Sequence, residues 1–252
     1  MYAEERQQAM ADLIVRRGSL SVADLAQAYS VTTETVRRDL SALERLGLVR
    51  RVHGGAVPAD VLEAAVGERD HAQAEQKERI ARVAVQLLPP PGSTIFIDAG
   101  TTTARAVALL PRDHRLTVVT HAVPIAARLA GLRHIELHLL PGRVRHTTQA
   151  AVGPDTIAAL QLVRADVAFV GTNGISVAHG LSTPDRNEAA VKRAMVAGAR
   201  RVVTLSDSSK VGVEAAIRFA ELADVDVLVT DDGLTAEAQA ELAGAGMEVR
   251  AA

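Results

Sequence analysis

The chain has 252 residues, 48% of them hydrophobic, which is enough for one well-buried core and a small second domain. Its 28 Lys and Arg stand against 30 Asp and Glu, so the formal net charge of −2 does not announce a nucleic-acid binder. The absence of cysteine excludes disulfides, thiolate zinc sites and cysteine nucleophiles, and fits a reducing interior.

The first predicted helix runs from about Glu4 to Arg17, with Met10, Leu13 and Ile14 inward and Gly18 at its end. Ser21 opens a second helix. Its Ser21-Val22-Ala23-Asp24 start has the form of a capping box with Asp in place of Glu, and Val22, Leu25 and Ala26 face in. Three short residues then separate Tyr29 from a third helix that begins at Thr33, with Thr32 as N-cap and Gly47 just past its end. On a helix turning about 100° per residue, Leu40 and Leu43 fall on the side of Val36, whereas Glu34, Arg38, Ser41 and Arg45 fall opposite. Helix, tight turn, helix is the arrangement in which the second member enters a DNA major groove.

Next, Leu48-Val49-Arg50-Arg51-Val52-His53 alternates apolar and basic residues as a half-exposed strand does, and Gly54-Gly55 supplies a hairpin turn before Ala56-Val57. This is the wing of a winged helix-turn-helix. Five of the eight Arg in residues 1–57 lie between Arg37 and Arg51, interrupted by only Asp39 and Glu44, a local basic patch in an otherwise balanced chain. Thr33, Glu34, Thr35, Arg37, Arg38 and Ser41 are candidates for the groove; Arg50, Arg51 and His53 are placed to meet phosphates. A solvated helix face is the competing reading, but it leaves the capped helix, the preceding helix and the basic wing unexplained. The five aromatics, Tyr2, Tyr29, Phe96, Phe169 and Phe219, are too few for base-stacking platforms, so double-stranded DNA is the favoured partner.

Residues 58–76 are acidic and weakly periodic, a linker with some helix that separates a first domain, 1–57, from a second, 77–252. From Lys77 the texture changes. A helix with Ile80, Val83, Ala84 and Leu87 inward stops at Pro89-Pro90-Pro91-Gly92. Strands are predicted at Thr94 to Asp98, Leu116 to Thr120, Ile135 to Leu140, Val167 to Gly171, Val202 to Leu205, Val225 to Thr230 and Met247 to Arg250. Helices between them are clearest at Thr102 to Leu110, Pro124 to Leu132, Asn187 to Ala197 and Thr235 to Ala243. Apolar strands alternating with helices predict an α/β fold with a mainly parallel sheet covered on both faces.

Ligands of such sheets gather beyond the carboxyl ends of the strands. At the first end, Asp98-Ala99-Gly100-Thr101-Thr102-Thr103 sets a glycine and three hydroxyls at a helix start, where backbone N–H groups and the helix dipole favour an anion such as phosphate; the alternative is an over-supplied N-cap. The other polar ends are Thr120-His121, Gly171-Thr172-Asn173-Gly174 and Ser206-Asp207-Ser208-Ser209-Lys210. Lys210 is the only lysine among them, either a point charge for a bound phosphate or a solvated loop residue. The loop Gly180 to Asp185 and the helix holding Glu188 and Lys192 are placed to close over the same crevice, although Glu188 and Lys192 also read as an ordinary i,i+4 pair. His134 and His138 have the spacing of helical zinc ligands but lie on a predicted strand, about 13 Å apart at ~3.3 Å per residue, so no metal is expected. No phosphate-binding loop, dinucleotide motif or nucleophile elbow follows a predicted strand, so no cofactor is expected. No apolar run approaches the roughly 20 residues that span a bilayer, and the N-terminus lacks an export signal; a cytoplasmic protein without membrane association is expected.

Thr33-Glu34-Thr35-Val36-Arg37-Arg38-Asp39-Leu40-Ser41-Ala42-Leu43-Glu44, followed by Gly47 to Gly55, closely resembles the DNA-binding signature of the DeoR family of bacterial transcription regulators. The resemblance continues through Asp98 to Thr102, Phe169 to Ile175 and Asp207 to Gly212, and so covers essentially the whole chain. It implies a larger domain that resembles ribose-5-phosphate isomerase and senses phosphorylated sugars or related metabolites, with Asp98, Gly100, Thr101, Thr102, Thr120 and Lys210 around the effector. His121 stands where the family often has Asn, and Pro141-Gly142-Arg143 replaces the usual Gly-Gly. The expectation is therefore a non-enzymatic repressor of a carbohydrate operon, acting as a homo-oligomer, dimer or tetramer, because one reading helix covers too short a site. The rival expectation is a sugar-phosphate isomerase with a DNA-binding appendage, using Asp98, Asp207 and Glu188 as its acid and base set.

Overall fold

The computed structural model describes residues 3–17, 20–45, 48–52, 54–58 and 66–252, divided into two compact units between Ala64 and Ala65. Of the features expected above, Gly18, Gly47, His53 and residues 59–65 of the linker lie outside the described residues.

The first unit contains α1 (Ala3–Arg17), β1 (Leu20–Ser21), α2 (Val22–Tyr29), α3 (Thr33–Arg45), β2 (Val49–Val52) and β3 (Gly55–Pro58). Its core is Met10, Ile14, Leu25, Val36, Leu40 and Leu43, each at most 1% exposed, so the apolar stripe of every helix faces the same interior. Truncating one such leucine to alanine costs about 2–5 kcal/mol. Ser21 caps α2 by accepting from the Asp24 amide at 3.0 Å, but the Asp24 carboxylate takes the Ser21 hydroxyl proton rather than returning to the backbone. Ser30, at φ 52°, donates its N–H to the Ala26 and Gln27 carbonyls and so turns the chain between α2 and α3. Thr32 accepts from the Thr35 amide at 3.2 Å and starts α3.

The three strands form one antiparallel sheet in the order β1-β3-β2, a third strand that the sequence pattern did not announce. Gly55 pairs with Ser21, and a Cβ there would stand 2.3 Å from the Leu20 carbonyl oxygen, so only glycine lets these strands close up. Gly54, at φ 81°, carries the turn of the wing.

The second unit opens with α4 (Val66–His71) and α5 (Ala74–Ala84), joined through Gln73 at φ 53°. Then follow β4 (Thr94–Ile97), α6 (Thr101–Ala108), β5 (Leu116–Thr120), α7 (Val123–Leu129), β6 (Ile135–Leu139), β7 (Arg143–Arg145), β8 (Ala150–Val152), α8 (Pro154–Gln161), β9 (Ala165–Val170), β10 (Gly174–Ser176), β11 (Gly180–Thr183), α9 (Arg186–Gly198), β12 (Ala199–Leu205), β13 (Ile217–Ala220), β14 (Val227–Thr230), α10 (Ala236–Gly244) and β15 (Glu248–Ala251). Seven of these strands make a wholly parallel sheet in the order β15-β14-β12-β9-β4-β5-β6. Each sheet face carries its own core: Phe96 points into one, while Ile95 and Ile97 point into the other. Two antiparallel additions, β7-β8 and β10-β11-β13, complete the unit.

The strand order reverses at β4. From there the chain runs outward through β5 and β6, then returns to lay β9 against the other side of β4. The crevice beyond the carboxyl ends of β4 and β9 is therefore the topological switch point, where open α/β sheets bind ligands.

Candidate functional site

Two constellations carry chemistry, one in each unit. In the first, Thr33, Glu34, Arg37 and Arg38 are exposed on α3, and Thr35 and Ser41 are half-buried beside them. Glu34 and Arg37 form a loose ion pair at 3.5 Å, whereas Arg38 has no ion pair among the described residues. The wing is fastened to this helix: Arg51 donates from Nη1 to the Ser41 hydroxyl at 2.9 Å and from its amide to Glu44 at 2.9 Å. Arg50 occupies β2 opposite Val57. Asp39 is not part of the outward face. It is 2% exposed and accepts from Arg6 Nε at 2.8 Å and Gln7 Nε2 at 2.9 Å, which locks α3 to α1. Burial alone would raise its pKa, but the hydrogen bonds from Arg6 and Gln7 together hold it below the usual carboxylate range.

In the second unit, Asp98 lies at the end of β4, completely buried. One carboxylate oxygen accepts from the Gly171 amide at 2.8 Å and from the Lys192 ammonium; the other stands 3.0 Å from Nε2 of His121. Lys192 also donates to the Gly171 carbonyl at 3.0 Å and lies 5.5 Å from the centre of the Phe219 ring. The His121 ring is fully buried, with Nδ1 donating to the Ala151 carbonyl at 2.8 Å and Nε2 also 3.2 Å from the Ala99 amide. Desolvation pushes the Asp98 pKa up, but the Lys192 charge and His121 outweigh it and hold the group at about 2. Asp98 is thus the ionised pin of the switch point, joining β4, β9 and α9.

A second buried set adjoins it. Glu188 accepts from Arg145 of β7 and from the Thr148 hydroxyl, and Arg145 stands 3.5 Å from Asp185, the residue that caps α9. Glu188 and Lys192 therefore do not pair with each other. Their i,i+4 spacing allowed an ion pair, but each turns to a buried partner on another element, where the charge interaction is stronger than at a solvated helix surface.

Around α6 the hydroxyls divide. Thr103 donates to the Gly100 carbonyl at 3.0 Å, and Thr120 donates to the Ile97 carbonyl at 2.7 Å while accepting from the Ala122 amide, so both serve the backbone. Thr101 and Thr102 are each 8% exposed, and their hydroxyls have no hydrogen-bond partner among the described residues. No side chain caps the first turn of α6. Lys210, half-buried after β12, has no ion pair among the described residues. Its charge helps lower the pKa of buried Lys77, after desolvation as the main cause. Gly171, Asp98, His121 and Thr120 thus frame the switch point, while Gly100, Thr101, Thr102 and Lys210 leave polar groups unspent. Sequence reasoning missed Arg145, Thr148 and Lys77, and treated Glu188 and Lys192 as a lid or a surface pair. The signal available was an apolar helix face carrying a carboxylate and an ammonium.

Among the described residues no cluster of His, Asp and Glu is placed to hold a metal ion, and no helix is long and apolar enough to cross a membrane.

A helix-turn-helix with a wing, joined in one chain to an open α/β unit with polar groups at its switch point, is the organisation of a DNA-binding regulator with a sensor domain. The chain belongs to the DeoR family: a DeoR-like helix-turn-helix domain matches residues 6–60, and a DeoR C terminal sensor domain matches residues 72–232. It is 36% identical to the HTH-type transcriptional regulator GlpR of Haloferax volcanii over 99% of this chain and 98% of that one. It is 32% identical to the Glycerol-3-phosphate regulon repressor of Escherichia coli K12, with 92% of each chain covered. It is also 31% identical to the HTH-type transcriptional repressor GlcR of Bacillus subtilis, over 92% of this chain and 89% of that one. These relatives are regulators, and the chain is a transcription regulator rather than an enzyme. Among solved structures, ribose 5-phosphate isomerase A of Methanocaldococcus jannaschii is similar with a TM-score of 0.42 at 17% identity, over 56% of this chain and 55% of that one.

Proposed function

We propose that this regulator is a cytoplasmic homo-oligomeric repressor of a carbohydrate or polyol catabolic operon, released from its operator by a phosphorylated metabolite. The observation that carries the proposal is the uncapped start of α6, where Thr101 and Thr102, each 8% exposed, keep hydroxyls without a hydrogen-bond partner among the described residues. A phosphate there would receive backbone N–H groups, two hydroxyls and the favourable end of the helix dipole, with Lys210 as neutralising charge. That helix begins three residues after the Asp98 pin. The Escherichia coli relative is a glycerol-3-phosphate regulon repressor, which supports a phosphorylated small molecule as the class.

On the output side, α3 is proposed to enter the major groove with Thr33, Glu34, Thr35, Arg37, Arg38 and Ser41 toward the bases. The wing, with Arg50, Arg51 and His53, meets the phosphates. Two copies supply two half-sites, which a single short helix cannot.

Fluorescence anisotropy on the promoter fragment of the chain's own operon tests this. The affinity falls steeply as salt rises, a phosphorylated sugar weakens it, and the free sugar does not. Thr101→Val with Thr102→Val abolishes the response while DNA binding persists. A protein whose DNA affinity no phosphorylated metabolite alters contradicts the proposal.

A further inference from the structure

A cavity of about 410 Å³ opens beside the start of α6, walled by Gly100, Thr101 and Arg105 of α6, Arg128 of α7, Gln149, and Asp70 of α4. Its volume lies at the small-metabolite end of ligand pockets. In its wall the hydroxyl of Thr101, a residue 8% exposed, has no hydrogen-bond partner among the described residues. A free hydroxyl beside cationic side chains in such a recess suits an oxygen-rich guest. Arg128 adds an exposed cation without an ion pair among the described residues, and Glu78 and Gln149 add groups that bind hydroxyls.

The remaining wall, α4, is held unlike any other helix in the unit. None of its residues is buried, so apolar packing contributes little to its position. Three polar ties fix it instead. The Val66 amide donates to the Thr147 carbonyl at 2.9 Å. Arg105 donates to the Asp70 carbonyl at 2.7 Å and meets its carboxylate at 2.8 Å. Lys77 donates to the Arg69 and Ala72 carbonyls. Each tie leads back to the site: Thr147 precedes Thr148, which Glu188 holds; Arg105 lies two residues past Thr103; and Lys77 feels the charge of Lys210. Gln73, a non-glycine residue at φ 53°, follows α4 as a ready pivot. In chain order, α4 is also the first element of the second unit, directly after the segment that leaves the DNA-reading unit.

We propose that this cavity receives the polyhydroxylated carbon skeleton of the phosphorylated effector, and that α4 is the wall that registers occupancy. This rests on the reading of the α6 start as the phosphate site. An oxygen-bearing guest competes with Asp70 for the Arg105 guanidinium. The second tie then loosens, and α4 turns about Gln73, which moves the chain that leads to the reading unit. A weakly packed helix held by a few polar ties belongs to the low-stability part of a fold, where such motion is cheap.

The test uses the full-length protein with inorganic phosphate, glycerol 3-phosphate, fructose 1-phosphate and glucose 6-phosphate as probes, titrated by calorimetry and by release of operator DNA. Ala108→Leu fills the cavity from an exposed position, and Arg128→Ala removes its free cation. Each is expected to weaken the best organic phosphate about tenfold and to leave inorganic phosphate unchanged. Asp70→Ala, which removes the competitor for Arg105 and one holder of α4, is expected to bind the best probe at least as tightly as wild type but to cut the effect of the probe on DNA affinity about tenfold. If the best probe still releases DNA from wild type but neither Ala108→Leu nor Arg128→Ala alters its affinity, the cavity assignment is wrong while the phosphate reading stands. If the cavity variants behave as expected but Asp70→Ala couples as wild type does, α4 is not the relay. If no probe changes the DNA affinity of wild type, the phosphate reading and this inference fall together.

Discussion

In the reading unit the guanidinium groups of Arg37 and Arg38 stand in solvent on α3, while in the sensor unit Asp98, Lys192, Glu188 and Arg145 are each no more than 5% exposed. The two placements do different work. Exposed cations cost little to keep and are drawn to any polyanion, so their energy depends on salt. Buried charges survive only with their partners and hydrogen bonds satisfied, so their energy depends on neighbouring residues and on pH. Asp39 is the exception in the first unit, a buried carboxylate that fixes the angle of α3 rather than reading DNA. The reading head is therefore general in its attraction and specific in its mounting, whereas the sensor is specific throughout.

The contrast breaks most sharply at Lys192. Lys192→Met leaves Asp98 buried with its principal counter-charge gone and is expected to cost about 3–5 kcal/mol in denaturant unfolding of the sensor unit. Asp98→Asn with Lys192→Met removes both charges and recovers most of that loss. An exposed pair shows the opposite extreme, so an unfolding curve for Lys192→Met that matches wild type would erase the distinction between the two units.

Acidity sharpens the same comparison. Asp98 titrates at about 2 in the folded chain, below the ordinary value of 3.8, so it favours the folded form above pH ~4 and loses that contribution as pH falls toward 2. The difference corresponds to about 2 kcal/mol, and Asp98→Asn removes this part of the acid slope. On the output side, Arg38→Ala is expected to weaken operator binding by about 1–3 kcal/mol while random DNA changes little, which is the signature of a base contact. Equal loss on both would assign Arg38 to phosphate. The smallest effect is at the exposed Glu34–Arg37 pair: Glu34→Gln shifts stability by at most about 0.5 kcal/mol, read from the thermal midpoint.

Local patterns explain what was legible beforehand. The stripe of Val36, Leu40 and Leu43 and the alternation of Arg with Val in β2 are set by neighbours within one turn or one strand, and the apolar runs of β4, β5 and β9 signal strands covered on both faces. The strand order was not legible, because nothing local says that β9 returns beside β4. Nor were the strands β7, β8 and β10, which are three residues each and carry too short an alternation to register. Lys192 shows the limit most plainly. Its spacing from Glu188 is that of a surface pair, yet its partner Asp98 is 94 residues away in sequence, and only the sheet topology brings them together.

On the proposed function, occupancy of the sensor site and engagement of the exposed reading face are one equilibrium. Linkage requires that a ligand which weakens DNA binding be weakened by DNA to the same factor. The most direct measurement is calorimetric titration of the best organic phosphate into full-length protein, free and saturated with operator DNA. The account predicts that operator lowers the ligand affinity by the factor by which the ligand lowers operator affinity, and that Thr101→Val with Thr102→Val removes both. Equal ligand affinity in the presence and absence of operator would contradict it.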